Sequence, residues 1–292
     1  MDRLLHGSAF WAWRFGATLA QRLPSWVTYP AAVIGGEMAY LFWVGRRQIA
    51  KQNFAIVLSL PAGDREVARV ARRSFRNFAK YLVEIMRFPR LDTEDFARLV
   101  TIDPRSWSYF RAAHDHGRGL IFVSMHFGNF EIGGARIADE LENQRLMDLL
   151  VANRAHKNVR LLPPEGAVRQ VLQALRRNEM VGLMMDLGPR AKELDNVEVM
   201  FFGERTAFPT IAANLARVSG APIVVAAVTR ERDNTFRGVA LPPIFVERTK
   251  QAAHDIEHTT QAIVHGLEQL VRLDPDQWYI FRPMWTRPEG TV

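Results

Sequence analysis

The chain has 292 residues, of which 48% are hydrophobic and 24% are charged, so it can bury a sizeable core and is not intrinsically disordered. It contains no cysteine, which excludes a disulfide scaffold, a thiolate nucleophile and metal sites built on thiolates. The formal net charge of +7 favours an anionic partner, either nucleic acid or an anionic membrane surface.

The segment from Trp26 to Val44 is the first candidate for membrane contact. Its 19 residues carry one charge, Glu37, and a membrane-spanning helix needs roughly 20 predominantly apolar residues. Glu37 and Pro30 weigh against spanning, so buried core helices and an interfacial hairpin remain as alternatives.

Aromatic residues are dense before residue 44, and Arg46 and Arg47 follow directly. This order is typical of a membrane interface, although a helical core packed with aromatics fits it as well.

The next element is a long amphipathic helix over Asp64 to Arg87, with Asp64 as its N-cap and Pro89 just beyond its end. One face is apolar and carries Val67, Ala71, Phe75, Phe78, Leu82 and Ile85. Another face is basic and carries Arg65, Arg69, Arg73, Arg76 and Lys80. A basic stripe is typical of a solvated face or of a helix lying on an anionic membrane. Zinc-finger, leucine-zipper and RNA-binding signatures are missing from the sequence, which argues against nucleic acid.

From about residue 99 short apolar runs alternate with helical stretches. The predicted strands are Leu99–Ile102, Leu120–Ser124, Met147–Val151, Val181–Met185, Val197–Phe202, Ile223–Thr229 and Phe236–Leu241. The predicted helices are Pro104–Asp115, Asn129–Leu141, Glu165–Arg177, Pro209–Val218 and Ala252–Leu273. This alternation predicts an α/β fold with a mainly parallel central sheet flanked by helices. We expect an N-terminal helical, membrane-associating portion, 1–90, and an α/β body, 91–292, that together form one structural unit.

The stretch GRGLIFVSMHFGNFEIGG, residues 117–134, carries the most chemistry. His126 and Glu131 follow a buried strand at the start of a helix, which is where ligands bind in open α/β sheets. A bend at Gly128 would bring the two side chains together, so that the carboxylate fixes the tautomer of the imidazole. His126 would then act as a general base on a substrate hydroxyl. The alternative is a structural His beside an ordinary first-turn acid.

HFGNFE resembles the His-x4-Asp/Glu signature of the bacterial lysophospholipid-type acyltransferases, in the branch of the lipid A late acyltransferases and the phosphatidylinositol mannoside acyltransferases. Further blocks are similar to that family in the family order: RRQIAKQNFAIVL (46–58), EGAVRQVLQALRRNEMVGLMMD (165–186), VEVMFFGERTAFPTIAANLARVSGAPIV (197–224) and PDQWYIFRPMW (275–285). The resemblance therefore covers most of the chain from residue 46 onward.

The resemblance implies transfer of a fatty acyl chain from acyl-CoA or acyl carrier protein to a hydroxyl of a glycolipid or phospholipid. His126 would be the general base and Glu131 would orient it. Glu204, in FFGE, matches a carboxylate that lies near the His and the acceptor sugar in the mannoside branch. We expect the substrate-binding residues to be Glu204, Arg205, Asn129 and Arg154. Backbone N–H groups after Gly128, Arg190 and Arg205 are candidates for stabilising the oxyanion.

The chain departs from the family pattern at a short segment, Val151 to Pro164, where Asn153–Arg154 is the nearest match to the family's Arg. No cofactor is expected. No metal is expected either, because no second His lies at a helical ligand spacing from His126. We expect a peripheral or monotopic protein on the cytoplasmic face of the cell inner membrane, with an anionic membrane lipid as a partner.

Two other functions are the alternatives to an acyltransferase. One is a hydrolase that uses the same His–Glu pair, and the other is a non-enzymatic protein that binds anionic lipid. The identity of the acceptor stays open among lipid A precursor, mannosylated phosphatidylinositol, a diacylglycerol glycolipid and lysophospholipid.

Overall fold

The computed structural model describes residues 14–141, 164–188 and 194–285. Helix α1 is described over residues 14–22. The helices that follow are α2 (Ser25–Phe42), α3 (Val44–Leu58), α4 (Arg65–Arg87), α5 (Thr93–Leu99), α6 (Pro104–His114), α7 (Phe130–Glu140), α8 (Pro164–Arg176), α9 (Ile211–Ser219) and α10 (Ala252–Leu273). Short 3-10 turns lie at Phe88–Arg90 and Pro275–Gln277.

The strands are β1 (Val100–Ile102), β2 (Leu120–Ser124), β3 (Met180–Met184), β4 (Asn196–Phe201), β5 (Glu204–Pro209), β6 (Ile223–Arg230) and β7 (Phe236–Ala240). Five of them form the central sheet in the order β1-β7-β6-β2-β3, and all pairings are parallel except β6 with β7. Strands β4 and β5 form a separate antiparallel hairpin. The α/β fold with a mainly parallel, helix-flanked sheet is therefore confirmed.

Most predicted elements lie within two residues of the observed ones, and Leu120–Ser124 and Ala252–Leu273 match at both ends. The helix predicted to start at Pro209 starts two residues later, because Pro209 is the last residue of β5 and α9 begins at Ile211. Pro209 sits opposite Asn196 at the open end of the hairpin, where a residue without an N–H is tolerated. The strand predicted at Met147–Val151 lies outside the described residues.

Helix α4 begins as its sequence predicts, since the Asp64 side chain accepts a hydrogen bond from the backbone N–H of Glu66. Its basic stripe is partly used inside the protein. Arg76 of this stripe and Arg72, which is not part of it, both pair with Glu37 of α2, so the one charge of the α2 segment has an internal partner. Lys80 donates to the side chain of Asn234, at 2.9 Å.

Helix α2 packs closely on α4 and presents large apolar side chains on its other side. Thr28, Ala32 and Gly36 are its buried residues, and their small side chains allow the two backbones to approach. Trp26 and Phe42 are 76% and 73% exposed. Within the ranges described above, no helix combines the length and the apolar character needed to cross a membrane.

Two adjacent glycines in α2 give a matched test of this packing. A Cβ added at Gly36 would lie 2.7 Å from the Phe75 carbonyl oxygen of α4, whereas one at Gly35 meets nothing within 4 Å. Gly36→Ala is therefore expected to destabilise the fold by roughly 1–3 kcal/mol through overpacking. Gly35→Ala should stabilise it by up to about 1 kcal/mol, because Ala is the better helix former.

Thermal unfolding measures both effects, and a change of about 1 kcal/mol corresponds to roughly 2–4 °C in Tm for chains of this size range. The expected order of Tm is Gly35→Ala above wild type and Gly36→Ala below it. Equal effects of the two substitutions would show that the packing of α2 on α4 has room for a Cβ at position 36.

Candidate active site

Two neighbouring parallel strands bring together the polar side chains that define the site. Ser124 at the end of β2 is paired with Met184 at the end of β3. His126 and Asp186 each follow two residues later, so the register places them side by side. His126 Nδ1 lies 2.8 Å from Asp186 Oδ1. A hydrogen bond of this length fixes the orientation of the imidazole and leaves Nε2 for a substrate.

The Asp186 carboxylate is fully buried, and its hydrogen bonds compensate that burial. Besides the imidazole of His126, the backbone N–H of His126 donates to Oδ2 at 3.1 Å, and the indole N–H of Trp278 donates to Oδ2 at 3.0 Å. A buried charge is tolerated only when it is paired and hydrogen-bonded. Asp186 is 0% exposed, whereas the His126 side chain retains 40% of its surface. The carboxylate is thus held behind an imidazole that solvent and substrate can reach.

Asp186 also sets the protonation equilibrium of His126. Burial by itself would lower the pKa of the imidazole, but the charge of Asp186 and its hydrogen bond outweigh burial, so the pKa of His126 is raised above 6.5. Burial would likewise raise the pKa of Asp186, but His126 and the other donors lower it below its usual value. The carboxylate therefore stays ionised and stabilises the imidazolium form of His126.

The backbone around His126 is held by the C-terminal segment. The Tyr279 N–H donates to the His126 carbonyl at 2.8 Å, and the Gly128 N–H donates to the Gln277 carbonyl at 2.9 Å. Gly128 has φ of 58°, and a Cβ there would lie 1.6 Å from the Val228 carbonyl oxygen. Only glycine fits this bend between β2 and α7.

The C-terminal segment is in turn anchored by buried polar residues of α3 and α4. Asn53 donates to the carbonyls of Ile280 and Arg282 and accepts from the Met284 N–H. Ser74 donates to the Trp278 carbonyl at 3.1 Å. These bonds connect the helical N-terminal portion to the residues that surround Asp186.

Glu131 does not make the hydrogen bond that the sequence predicts for it. The partner of His126 Nδ1 is Asp186, because the parallel register brings the end of β3 to the end of β2. Glu131 lies in the first turn of α7 and accepts a hydrogen bond from the Tyr81 hydroxyl at 2.7 Å. Its negative charge still helps to raise the pKa of His126, as the smallest of the contributions.

Asn129 was expected to bind substrate, but the structure places it behind the His126 loop. It is buried, its Oδ1 accepts from the Ile132 N–H at 3.1 Å, and its amide donates to Glu84 at 2.8 Å. Both ends of the side chain are therefore used inside the protein, with Oδ1 as the N-terminal cap of α7.

Glu204 and Arg205 lie at the tip of the β4–β5 hairpin, and both are exposed. Arg205 lies 4.0 Å from Glu198 of the facing strand. No contact with His126 is seen for either residue in the described ranges. The hairpin touches the site through Phe201, whose ring centroid lies 5.8 Å from that of Trp278. Arg154 and Arg190 lie outside the described residues.

Sequence reasoning missed Asp186 and Trp278. A signal for Asp186 is present, because LIFVSMH places His126 two positions after the predicted strand Leu120–Ser124, and MVGLMMD places Asp186 directly after the predicted strand Val181–Met185. Adjacent parallel strands would put those residues together. From sequence, Trp278 is expected to be an ordinary aromatic residue of the core. Only the folded structure shows that its indole N–H points at Asp186. No group of three or more potential metal ligands is found among the described residues.

Comparison with known proteins assigns the chain to a family. The model of the bacterial lipid A biosynthesis acyltransferases matches residues 2–287, and the chain belongs to that family. It is a lipid acyltransferase whose substrate is a glycolipid or phospholipid.

Two named relatives are phosphatidylinositol mannoside acyltransferases. The one from Mycobacterium tuberculosis is 25% identical over 289 residues, which cover 94% of this chain and 88% of the relative. The one from Mycolicibacterium smegmatis is 25% identical over 267 residues, which cover 87% of this chain and 84% of the relative.

The raised pKa of His126 can be tested by replacing its partner. Asp186→Asn removes the charge that raises the pKa of the imidazole and leaves the burial that lowers it. We therefore expect the pKa of His126 to fall in Asp186→Asn. NMR titration of the imidazole measures the change, with the signal assigned by its loss in His126→Gln. Glu204→Gln is the matched control and should leave the pKa unchanged; a fall there would place Glu204 at the imidazole instead.

Proposed function

We propose that this lipid acyltransferase moves a fatty acyl chain from an acyl thioester to a hydroxyl of its lipid acceptor, with His126 as general base. The hydrogen bond between His126 Nδ1 and Asp186 carries the proposal, because it leaves Nε2 on the exposed side of a well-oriented imidazole. A thioester is already activated, so a general base and stabilisation of the oxyanion are sufficient for transfer.

The proposed reaction has two steps. Nε2 of His126 takes the proton of the acceptor hydroxyl while its oxygen attacks the thioester carbonyl carbon, forming a C–O bond and a tetrahedral oxyanion. The oxyanion then collapses, the C–S bond breaks, and the leaving thiolate takes the proton from the imidazolium. The products are the acyl ester and the free thiol. Asp186 stays ionised throughout and stabilises the imidazolium between the two steps.

The start of α7 is proposed to stabilise the oxyanion. Helix α7 begins at Phe130, four residues after His126, and the N-terminus of a helix carries partial positive charge and unpaired N–H donors. Loss of one oxyanion donor typically costs about 10²–10³ in rate. Glu131 would then act indirectly, through its hydrogen bond from Tyr81 and its charge near His126.

A row of aromatic rings beside His126 supports a lipid substrate. The Phe130 ring lies 5.5 Å from the imidazole and the Tyr81 ring lies 5.6 Å from Phe130. Tyr279 continues the row at 5.3 Å from Tyr81, and Phe78 lies 5.4 Å from Tyr279. Such rings can line a path for an acyl chain or pack against an acceptor sugar. Given the named relatives, we propose that the acceptor hydroxyl belongs to a sugar of a glycolipid.

Thiol release from palmitoyl-CoA tests the mechanism, and the cysteine-free chain does not react with the thiol dye. With an extracted bacterial lipid acceptor, wild type should release CoA, and His126→Ala should lower the rate by about 10²–10⁴, the usual contribution of a general base. Asp186→Asn should also be slower. Circular dichroism confirms that each variant is folded.

Each other outcome contradicts a specific part of the proposed mechanism. Release without acceptor would show that the protein is a hydrolase. Undiminished release by folded His126→Ala would show that His126 is not the base. If wild type releases no thiol from palmitoyl-CoA, the same assay with acyl carrier protein as donor distinguishes another donor from a protein that only binds lipid.

We further propose that α1 and α2 dock on an anionic membrane surface. Large apolar side chains are exposed on α1, on α2 and on the link between them: Phe15, Leu19, Leu23, Trp26, Ile34, Met38, Leu41 and Phe42. Trp43, Arg46 and Arg47 follow, and exposed arginines of α4 lie alongside. Exposed apolar side chains with basic residues beside them fit a peripheral protein on an anionic leaflet.

Sedimentation with phosphatidylglycerol vesicles tests this docking. Trp26→Ser combined with Phe42→Ser should weaken binding at least tenfold, because burial of each ring contributes about 1.5–3 kcal/mol. Phe245→Ser is the matched control, since Phe245 is also exposed but lies outside α1 and α2. High salt should weaken wild-type binding, because surface charges are screened. Equal binding of the double variant and wild type would contradict the proposed surface.

A further inference from the structure

A buried ion pair lies behind the His126 loop and is not part of the proposed chemistry. Glu84 of α4 and Arg230 at the end of β6 are both nearly inaccessible to solvent. The Arg230 guanidinium donates to both carboxylate oxygens of Glu84, at 2.8 Å to Oε2 and with a second hydrogen bond to Oε1. The charge of Glu84 and these bonds outweigh burial and raise the pKa of Arg230, so the buried guanidinium remains charged.

The pair reaches the active site through Asn129. The Asn129 amide donates to the same Oε2 of Glu84 at 2.8 Å, and its own Oδ1 caps α7 through the Ile132 N–H. Asn129 is three residues from His126. The Glu84 carboxylate therefore fixes the point at which the His126 loop turns into α7. A charged acceptor makes the bond to Asn129 stronger than a neutral one would.

Arg230 is also bound through its backbone to the segment that holds the loop. The Gln277 side chain accepts from the Arg230 N–H at 2.6 Å and donates to the Arg230 carbonyl at 2.9 Å. The Gln277 carbonyl accepts from Gly128 N–H. Both partners of the ion pair are thus connected to the His126 loop, one through α7 and one through the C-terminal segment.

A buried ion pair is weak evidence for stability, because desolvation offsets the attraction and apolar residues of similar volume often serve equally well. We propose that Glu84 and Arg230 are positioning residues for acyl transfer, which fix His126 and the start of α7 relative to the bound substrates. This inference rests on the proposed function. Neither side chain reaches Nε2 of His126; both act through Asn129 and the C-terminal segment.

The test replaces both charges together, so that no uncompensated charge is left in the interior. Glu84→Met combined with Arg230→Met should fold, since removing both partners avoids the cost of an unpaired buried ion. We expect kcat to fall about 10–100-fold, because a displacement of about 1 Å can cost 10²-fold in rate. KM for the acceptor should change less than about twofold. The pKa of His126, measured by NMR, should stay at its wild-type value, because Asp186 is intact.

Two further variants keep the test decisive. Asn129→Ser retains a side-chain oxygen that can cap α7, but its side chain is too short to bond Glu84 at the same time. It should also lower kcat, and it serves as the test if the double variant does not fold. Arg217→Met with Asp255→Met removes a matched ion pair, 2.9 Å in length, between α9 and the start of α10. This control should leave kcat and KM unchanged.

Wild-type kcat in either folded variant, the double variant or Asn129→Ser, would overturn the positioning role. A rise in KM at constant kcat would overturn it too, because it would indicate a role in binding. Failure of the proposed function looks different, since wild type would then show no release that depends on both acceptor and His126.

Amide hydrogen exchange at Ile132 gives a readout that does not depend on activity. Exchange should be faster in the Glu84/Arg230 double variant than in wild type, and unchanged exchange would contradict the coupling.

Discussion

Burial of the Asp186 carboxylate is the constraint on which the surroundings of His126 depend. A carboxylate without solvent contact requires several donors, and here they come from the His126 loop and from Trp278. These donors are distant in sequence, so the C-terminal segment must fold against the end of β2 before the charge is compensated. The same contacts orient the imidazole. The condition that makes the interior stable therefore also prepares the base for chemistry.

The sheet and the position of His126 could be predicted from sequence because they depend on local patterns. Apolar runs bounded by Gly and Pro gave the strands, and His126 directly follows one of them. Local patterns alone do not identify its carboxylate partner, because Glu131 in the predicted helix after His126 and Asp186 directly after another predicted strand are both acidic candidates. The register of β2 with β3 decides between them, and register depends on strand pairing that periodicity along one segment does not show.

The contacts of Asn129 and Glu84 could not be predicted from the sequence. Asn129 was expected to bind substrate and Glu84 carried no prediction, because residue type and helical spacing do not show whether a polar side chain is buried. The structure buries both and satisfies them with each other and with Arg230. Glu204 was assigned by resemblance to a motif, and it lies exposed at a hairpin tip. Sequence patterns report residue type and spacing, whereas the burial that defines a polar residue's role comes from the packing of distant elements.

Helix α4 shows how these parts are connected. Its apolar and basic faces were evident from sequence, but a third stripe at spacings of three and four, Ser74, Asn77, Tyr81 and Glu84, bonds to the C-terminal segment and to α7. Residues on this stripe therefore contact both supports of His126. On another side α4 packs against α2 at Gly36. If α2 docks on a membrane as proposed, one rigid helix fixes the distance between the bilayer and the catalytic base. Helix α4 would then set how far above the bilayer the acceptor hydroxyl of a lipid reaches Nε2 of His126.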